Sequence, residues 1–295
     1  MPRASSAAAP PLSEPARSNR HALASALAGV LAISFSAILV REAGAHPFTA
    51  AFYRCACAVP VLWVLRHRSA LPAADRRERL LGVVAGTFLA LDLLAWHEAI
   101  GRIGAGFSTV LGSTQVLFVL GLALLGGAVV PRRSLVGVPI AIAGIVLIRG
   151  IGSDHALDST GVLLGLFTGL TYACFLGLYD RAIARGGSLV GPLLDVTATS
   201  AVICLAAAAA DGATLVPGVS ALLWLALLAL TSQVLGWILI AGAFRHLRAV
   251  ETSVLLLTQP VLTVIWGMLL FDERVAALQA IGIAITLAGV AVSRR

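Results

Sequence analysis

The sequence predicts an all-α membrane protein, with ten transmembrane helices arranged as two inverted five-helix repeats. Three observations lead there: a composition too apolar for a water-facing surface, ten apolar runs of spanning length, and a resemblance between the two halves. Of 295 residues, 59% are hydrophobic and only 12% charged, and mean hydropathy is +0.96. Soluble domains carry about a quarter charged residues, so the bilayer is the expected solvent. The formal charge of +7 does not read as nucleic-acid binding, because no basic stripe lies on a face that could fold in water. All 21 basic residues are arginines, which reads as genome composition.

Along the chain, residues 1–20, rich in Ala, Pro and Ser, read as a disordered tail. The apolar run from Ala22 to Val40 is too long for a signal-peptide core, and Arg41-Glu42 spoils the cleavage site after it. It reads as the first spanning helix. About 20 apolar residues cross the hydrocarbon. Runs between charge clusters and Gly/Pro breaks give spans at about 21–41, 48–66, 79–100, 104–127, 134–150, 159–182, 188–210, 219–243, 250–271 and 275–293. The two repeats are 21–150 and 159–295. Cys55, Cys57, Cys174 and Cys204 all fall in apolar runs and read as small fillers rather than a disulfide or zinc site.

Orientation follows from arginine counts in alternate loops. Sixteen arginines fall on the amino-terminal side, against four (Arg41, Arg102, Arg149 and Arg274) on the other, with Arg54 inside a span. Both termini are thus expected in the cytoplasm, which requires an even number of spans.

Sliding the chain by 144 residues pairs Val110-Leu111 with Val254-Leu255 and Thr114-Gln115 with Thr258-Gln259. One residue further pairs Gly137 with Gly282, Ala143-Gly144 with Ala288-Gly289, and Arg149 with Arg294. A slide of 141 pairs Asp92-Leu-Leu-Ala-Trp96 with Gln233-Val-Leu-Gly-Trp237. Five spans per repeat is odd, so the second half enters from the opposite side. Inverted repeats of this kind place substrate sites near the midplane.

Several midplane residues carry chemistry. Gln115 and Gln259 are repeat mates near the centre of their spans, and an unpaired amide in hydrocarbon costs several kcal/mol. They bind neighbouring helices or line a wet cavity. Pro260 has no amide hydrogen and frees the Leu256 carbonyl; it reads as a kink and hinge. Its mate is Val116, so flexing is expected to be asymmetric. Phe88, Asp92 and Trp96 share one helical face, and Gln233 and Trp237 occupy matching places in the other half. An intramembrane carboxylate is a functional candidate by default. Asp92 suits a substrate ammonium, a proton, or pairing with Arg54. Arg54, seven residues into its span, is expected to snorkel partly and suits a carboxylate. Thr168, Tyr172, Phe175 and Tyr179 make a stripe on the sixth span, and Gly161, Gly165 and Gly169 a close-packing seam on its opposite face. Asp195, Glu251 and Glu98 lie near helix ends and read as solvated or capping. His97 beside Glu98 makes no metal motif, and no cofactor is expected.

The run from Thr258 to Val292, with Pro260, the Asp272-Glu273-Arg274 turn, Gln279, and Gly282 and Gly289 seven apart, resembles the second-repeat signature of the drug/metabolite transporter superfamily in its ten-helix EamA branch. Arg54 fits the same pattern. The first repeat departs from it, with Val116 for the proline and Val129-Val130-Pro131 for the acidic turn. The resemblance implies export of small metabolites, commonly amino acids, across the bacterial inner membrane. The paired indoles and tyrosines resemble YddG-like exporters of aromatic and other amino acids. The expected partners are that substrate and the lipid bilayer, with the proton as candidate coupling ion. A membrane-embedded enzyme needs a clustered nucleophile and base or a nucleotide loop, and neither is present in the sequence; a non-transporting subunit has no need of an inverted repeat.

Overall fold

The computed structural model describes residues 14–69, 74–127, 129–149, 158–183, 188–244, 246–247, 249–271 and 276–294. Among these the regular structure is entirely helical: α1 (Glu14–Ser34), α2 (Ser36–Ala43), α3 (Pro47–Ala56), α4 (Ala58–Arg68), α5 (Arg76–Gly112), α6 (Gln115–Leu125), α7 (Arg132–Arg149), α8 (Ser159–Ile183), α9 (Val190–Ala210), α10 (Val219–Leu228), a π-helical segment (Ala229–Gly236), α11 (Trp237–Phe244), α12 (Ala249–Leu256), α13 (Thr258–Phe271) and α14 (Ala277–Arg294). Helix α1 takes in residues 14–20 of the stretch expected to be a tail, while 1–13 and the Asp272-Glu273-Arg274 turn lie outside the described residues. Seven helical stretches among the described residues are long and apolar enough to cross a membrane, and Gln115–Leu125 and Ala280–Ser293 are shorter apolar helices.

Helix ends follow local chemistry. Gly44, Gly127 and Gly212 have φ of 55°, 72° and 71° and stand just beyond α2, α6 and α9, where a left-handed residue caps the last carbonyls. Asp75 and Glu78 exchange backbone-to-carboxylate hydrogen bonds of 3.0 and 2.6 Å at the start of α5, a reciprocal cap.

The expected gap between 100 and 104 is corrected. Helical hydrogen bonding runs unbroken through it, and the interruption falls later, at Ser113–Thr114. Helix α5 nevertheless bends sharply. Asp92 and Thr109 border one cavity, yet a straight helix would hold them about 26 Å apart. Gly101 sits between them in open space, and glycine is a common site of sharp bends. The early part of α5 packs on α9: a Cβ on Gly86 would meet the Val196 carbonyl at 2.5 Å, and Ser200 Oγ donates to the Gly86 carbonyl at 2.8 Å. The late part packs on the α8 seam, where Gly161 faces Ile103, Gly165 faces Leu111, and Gly169 faces Thr114.

Helices α7 and α14 run antiparallel with their backbones in contact. A Cβ on Gly144 would meet the Gly282 carbonyl at 2.6 Å, and one on Gly289 would meet the Gly137 carbonyl at 2.7 Å. Gly137 and Gly282 are sequence mates, as are Gly144 and Gly289, so the partners are exchanged between the two helices. Helix α1 lies antiparallel to the stretch from the π segment into α11. Ser25 Oγ donates to the Leu239 carbonyl at 2.7 Å, and Ser36 Oγ to Ser232 Oγ at 2.8 Å. All four cysteines are free, with Cys55 and Cys204 buried.

Candidate functional site

Three of the spanning-length stretches are interrupted along their length, at Phe35 between α1 and α2, at Cys57 between α3 and α4, and at Leu257 between α12 and α13, and a fourth break falls at Ser113–Thr114 between α5 and α6. The π segment is a fifth irregularity. A cavity of about 90 Å³ opens where they converge. Ile33 and Ser36 flank the first break, Arg54 precedes the second, Ser113 and Gln115 border the third, and Leu256, Gln259 and Pro260 surround the fourth. Trp237 enters from the end of the π segment. A cavity of this size holds several waters and is small beside the roughly 300–1,000 Å³ common for small-molecule sites.

The chain breaks are produced by two means. At Leu257, Pro260 supplies no N–H to the Leu256 carbonyl, and the Leu257 amide makes a short-range bond to the Val254 carbonyl, 3.1 Å. Pro60 stands in the same relation to the break at Cys57. At Ser113–Thr114 the ladder tightens, the Thr114 amide bonding the Leu111 carbonyl at 3.0 Å and the Val116 amide the Ser113 carbonyl at 3.4 Å, while Ser113 Oγ donates to the Thr109 carbonyl at 2.8 Å and Thr114 Oγ1 to the Leu111 carbonyl at 2.5 Å. Such back-bonding competes with the helical ladder. An interruption is therefore present at both matched positions, at Ser113–Thr114 as well as at Leu257.

Of the residues singled out in the sequence, Arg54, Asp92, Trp96, Gln115, Tyr172, Trp237, Gln259 and Pro260 border this cavity. Gln233, Tyr179 and Phe88 do not. Tyr179 is fully buried against Phe175 (5.5 Å between ring centres), Trp237 (5.9 Å) and Phe244 (6.2 Å), so the lower part of the stripe is core. Phe88 is half-buried against the same core. Gln233 is fully buried in the π segment; its Oε1 accepts from Arg54 Nε at 3.3 Å and its Nε2 donates to Thr197 Oγ1 at 3.1 Å. Arg54 is only 6% exposed. The expected snorkelling is corrected, because an amide and the cavity give the guanidinium a polar environment at depth.

The lining holds unsatisfied polar atoms. Gln115 Nε2 reaches the Ser253 carbonyl at a long 3.4 Å. Gln115 Oε1, Thr168 Oγ1 and Trp237 Nε1 have no hydrogen-bond partner among the described residues. Asp92, 7% exposed, forms neither an ion pair nor a hydrogen bond among them. Buried polar atoms without partners are rare. A carboxylate, a guanidinium, two amides and an indole N–H around one small chamber can bind a compact solute bearing both charges.

Beyond the chamber, Arg102 joins Glu98 at 2.9 Å and Asp158 at 3.2 Å, linking the bend of α5 to the start of α8. Arg102 and the Thr160 N–H hold the Asp158 carboxyl below its usual 3.8. Thr168, the first residue of the stripe on the sixth span, lines the chamber with Tyr172, whereas sequence reasoning missed Ser36 and Ser113. The signal was present in the Ser34-Phe35-Ser36 and Ser113-Thr114 pairs, hydroxyls clustered inside otherwise apolar spans.

A helical membrane protein whose interrupted helices converge on a chamber bearing charged and amide side chains has the architecture of solute carriers. The chain matches the EamA-like transporter family over residues 21–150 and 159–295, and it belongs to that family. A search of curated proteins finds no match. A solved structure titled only as the crystal structure of a protein is similar in fold, at 17% identity and a TM-score of 0.75, covering 92% of this chain and 96% of its own.

Proposed function

We propose that the protein is a secondary carrier that exports amino acids, aromatic ones among them, or similar small zwitterions across the bacterial cytoplasmic membrane by alternating access. Its ten spans form two inverted repeats, 21–150 and 159–295, with both termini in the cytoplasm. The observation that carries this reading is the convergence of broken helices from both halves on one chamber, whose largely apolar wall carries Arg54, Asp92, Gln115 and Gln259. The exchanged glycine contacts of α7 and α14 support the inversion. Trp96, Tyr172 and Trp237 serve as apolar walls, and Gln115 and Gln259 as hydrogen-bonding groups. Arg54 takes the carboxylate, Asp92 takes the ammonium or a coupling proton, and Pro260 is a hinge.

The test is uptake of labelled amino acids into proteoliposomes, with and without a pH gradient. The expected result is saturable flux that the gradient drives uphill. In Asp92→Asn, uphill transport is expected to vanish while equilibrium exchange persists; an Asp92→Asn variant that still concentrates substrate would remove the proton role, and absence of flux for every amino acid would remove the carrier reading.

A further inference from the structure

Gln233 was the residue that the repeat pattern matched to Asp92, yet the two differ in what they face. Asp92 borders the chamber and has no bonded partner among the described residues. Gln233 is sealed from it, 0% exposed, and spans two other helices: Arg54 of α3 on its oxygen and Thr197 of α9, itself 0% exposed, on its nitrogen. The π segment is what delivers it, since an eight-residue stretch wound more widely than its flanks rotates the side chains that follow, and such bulges cluster at functional sites.

We infer that Gln233, held by Thr197, is a positioning residue that fixes the Arg54 guanidinium as the selective carboxylate acceptor of the chamber. The amide oxygen occupies Nε, so both Nη groups are left for a ligand; neither is among the buried atoms lacking a partner, and Arg54 borders the chamber. A neutral amide does this without neutralising the cation, whereas a carboxylate at the same place would compete with the substrate. The direction of the glutamine is fixed by Arg54, whose Nε–H only donates and so requires Oε1 on its side, leaving Nε2 to donate to the Thr197 hydroxyl. Selectivity for molecules carrying a carboxylate next to a cationic group follows, with Arg54 and Asp92 as the two poles. The inference rests on the carrier reading above.

The experiment takes the amino acid that reconstituted wild-type protein carries fastest, together with its decarboxylated amine and its deaminated acid (for alanine, ethylamine and propionate). In Gln233→Leu, KM for the amino acid should rise about tenfold, the scale of one hydrogen bond to a charged group, while KM for the amine and Vmax stay within about twofold. Thr197→Val should move the same KM in the same direction by a smaller factor. Gln233→Glu, which retains shape and polarity, should abolish discrimination in favour of the carboxylate while leaving amine flux intact. A uniform rise in KM for all three solutes in Gln233→Leu, or full carboxylate preference in Gln233→Glu, would overturn the positioning role. Arg54→Gln separates the levels: if it leaves carboxylate preference unchanged, the assignment of Arg54 fails; if it abolishes that preference and the Gln233 variants do not, only the present inference fails.

Discussion

The two halves interrupt a helical run at positions matched in sequence, Ser113 and Leu257, by different chemistry. In the second half the break at Leu257 lies three residues before Pro260, whose missing N–H frees a carbonyl. In the first half the break at Ser113–Thr114 has Val116 at the proline's position, and two hydroxyls join the Ser113 and Thr114 amides on the carbonyls of Thr109 and Leu111. The same geometry reached by two means indicates that the interruption itself is what the chamber requires. Proline is one way to obtain it.

The largest expected effect concerns where the halves meet. Gly144→Leu and Gly289→Leu each drive a side chain into the partner backbone, and overpacking costs about 1–3 kcal/mol or more. Because the contacts are exchanged, both variants should lower Tm in detergent by similar amounts; a large loss in one and none in the other would break the equivalence. Next comes the proline itself. In an ordinary helix interior Val116→Pro would cost about 3 kcal/mol. Here the Val116 amide makes only a 3.4 Å contact with the Ser113 carbonyl, so thermal unfolding should report a loss below about 1 kcal/mol, the worth of one weak hydrogen bond. The double variant Ser113→Ala, Thr114→Ala removes the hydroxyl capture and should slow transport turnover by severalfold with little change in Tm; an unchanged turnover would deny the hydroxyls their part in the break.

The smallest effect lies at the Arg102–Asp158 link. The folded Asp158 carboxyl titrates below its ordinary 3.8 because Arg102 and the Thr160 N–H stabilise its charged form. Its contribution is therefore complete above the unfolded value and lost as pH falls through the lower folded one. Wild-type Tm should drop slightly more than that of Arg102→Gln on acidification below about pH 4, and parallel curves would show the link to be inert.

Much of this was legible in the sequence. Composition and apolar run length led to the helical membrane class, and the Thr-Gln and Asp/Gln-to-Trp pairings led to five residues that border the chamber, Asp92, Trp96, Gln115, Trp237 and Gln259; Arg54, Tyr172 and Pro260 stand out as a charge, an aromatic and a helix-breaker inside apolar spans. What escaped was set by tertiary geometry. Periodicity placed Gln233 one turn from Trp237, but a π segment has its own winding and turned the amide toward Arg54 instead. Tyr179 shares a stripe with Tyr172, yet three aromatic neighbours enclose it, and spacing along a helix does not reveal how far down a stripe the core begins. The gap between 100 and 104 read as a loop because Gly and Arg interrupt the apolar run; Gly101 is the trace of a bend inside a continuing helix, and composition alone does not tell that from a loop.

The glycine contact of α7 with α14 has a consequence for divergence. A face that meets its own counterpart head to tail could close equally well between two separate copies of a half-length chain, each constrained to suit both roles at once. Fusing the copies lifts that constraint: a change on one side of the axis no longer repeats on the other. An acid can then persist at one pole of the chamber while its twin becomes a silent brace.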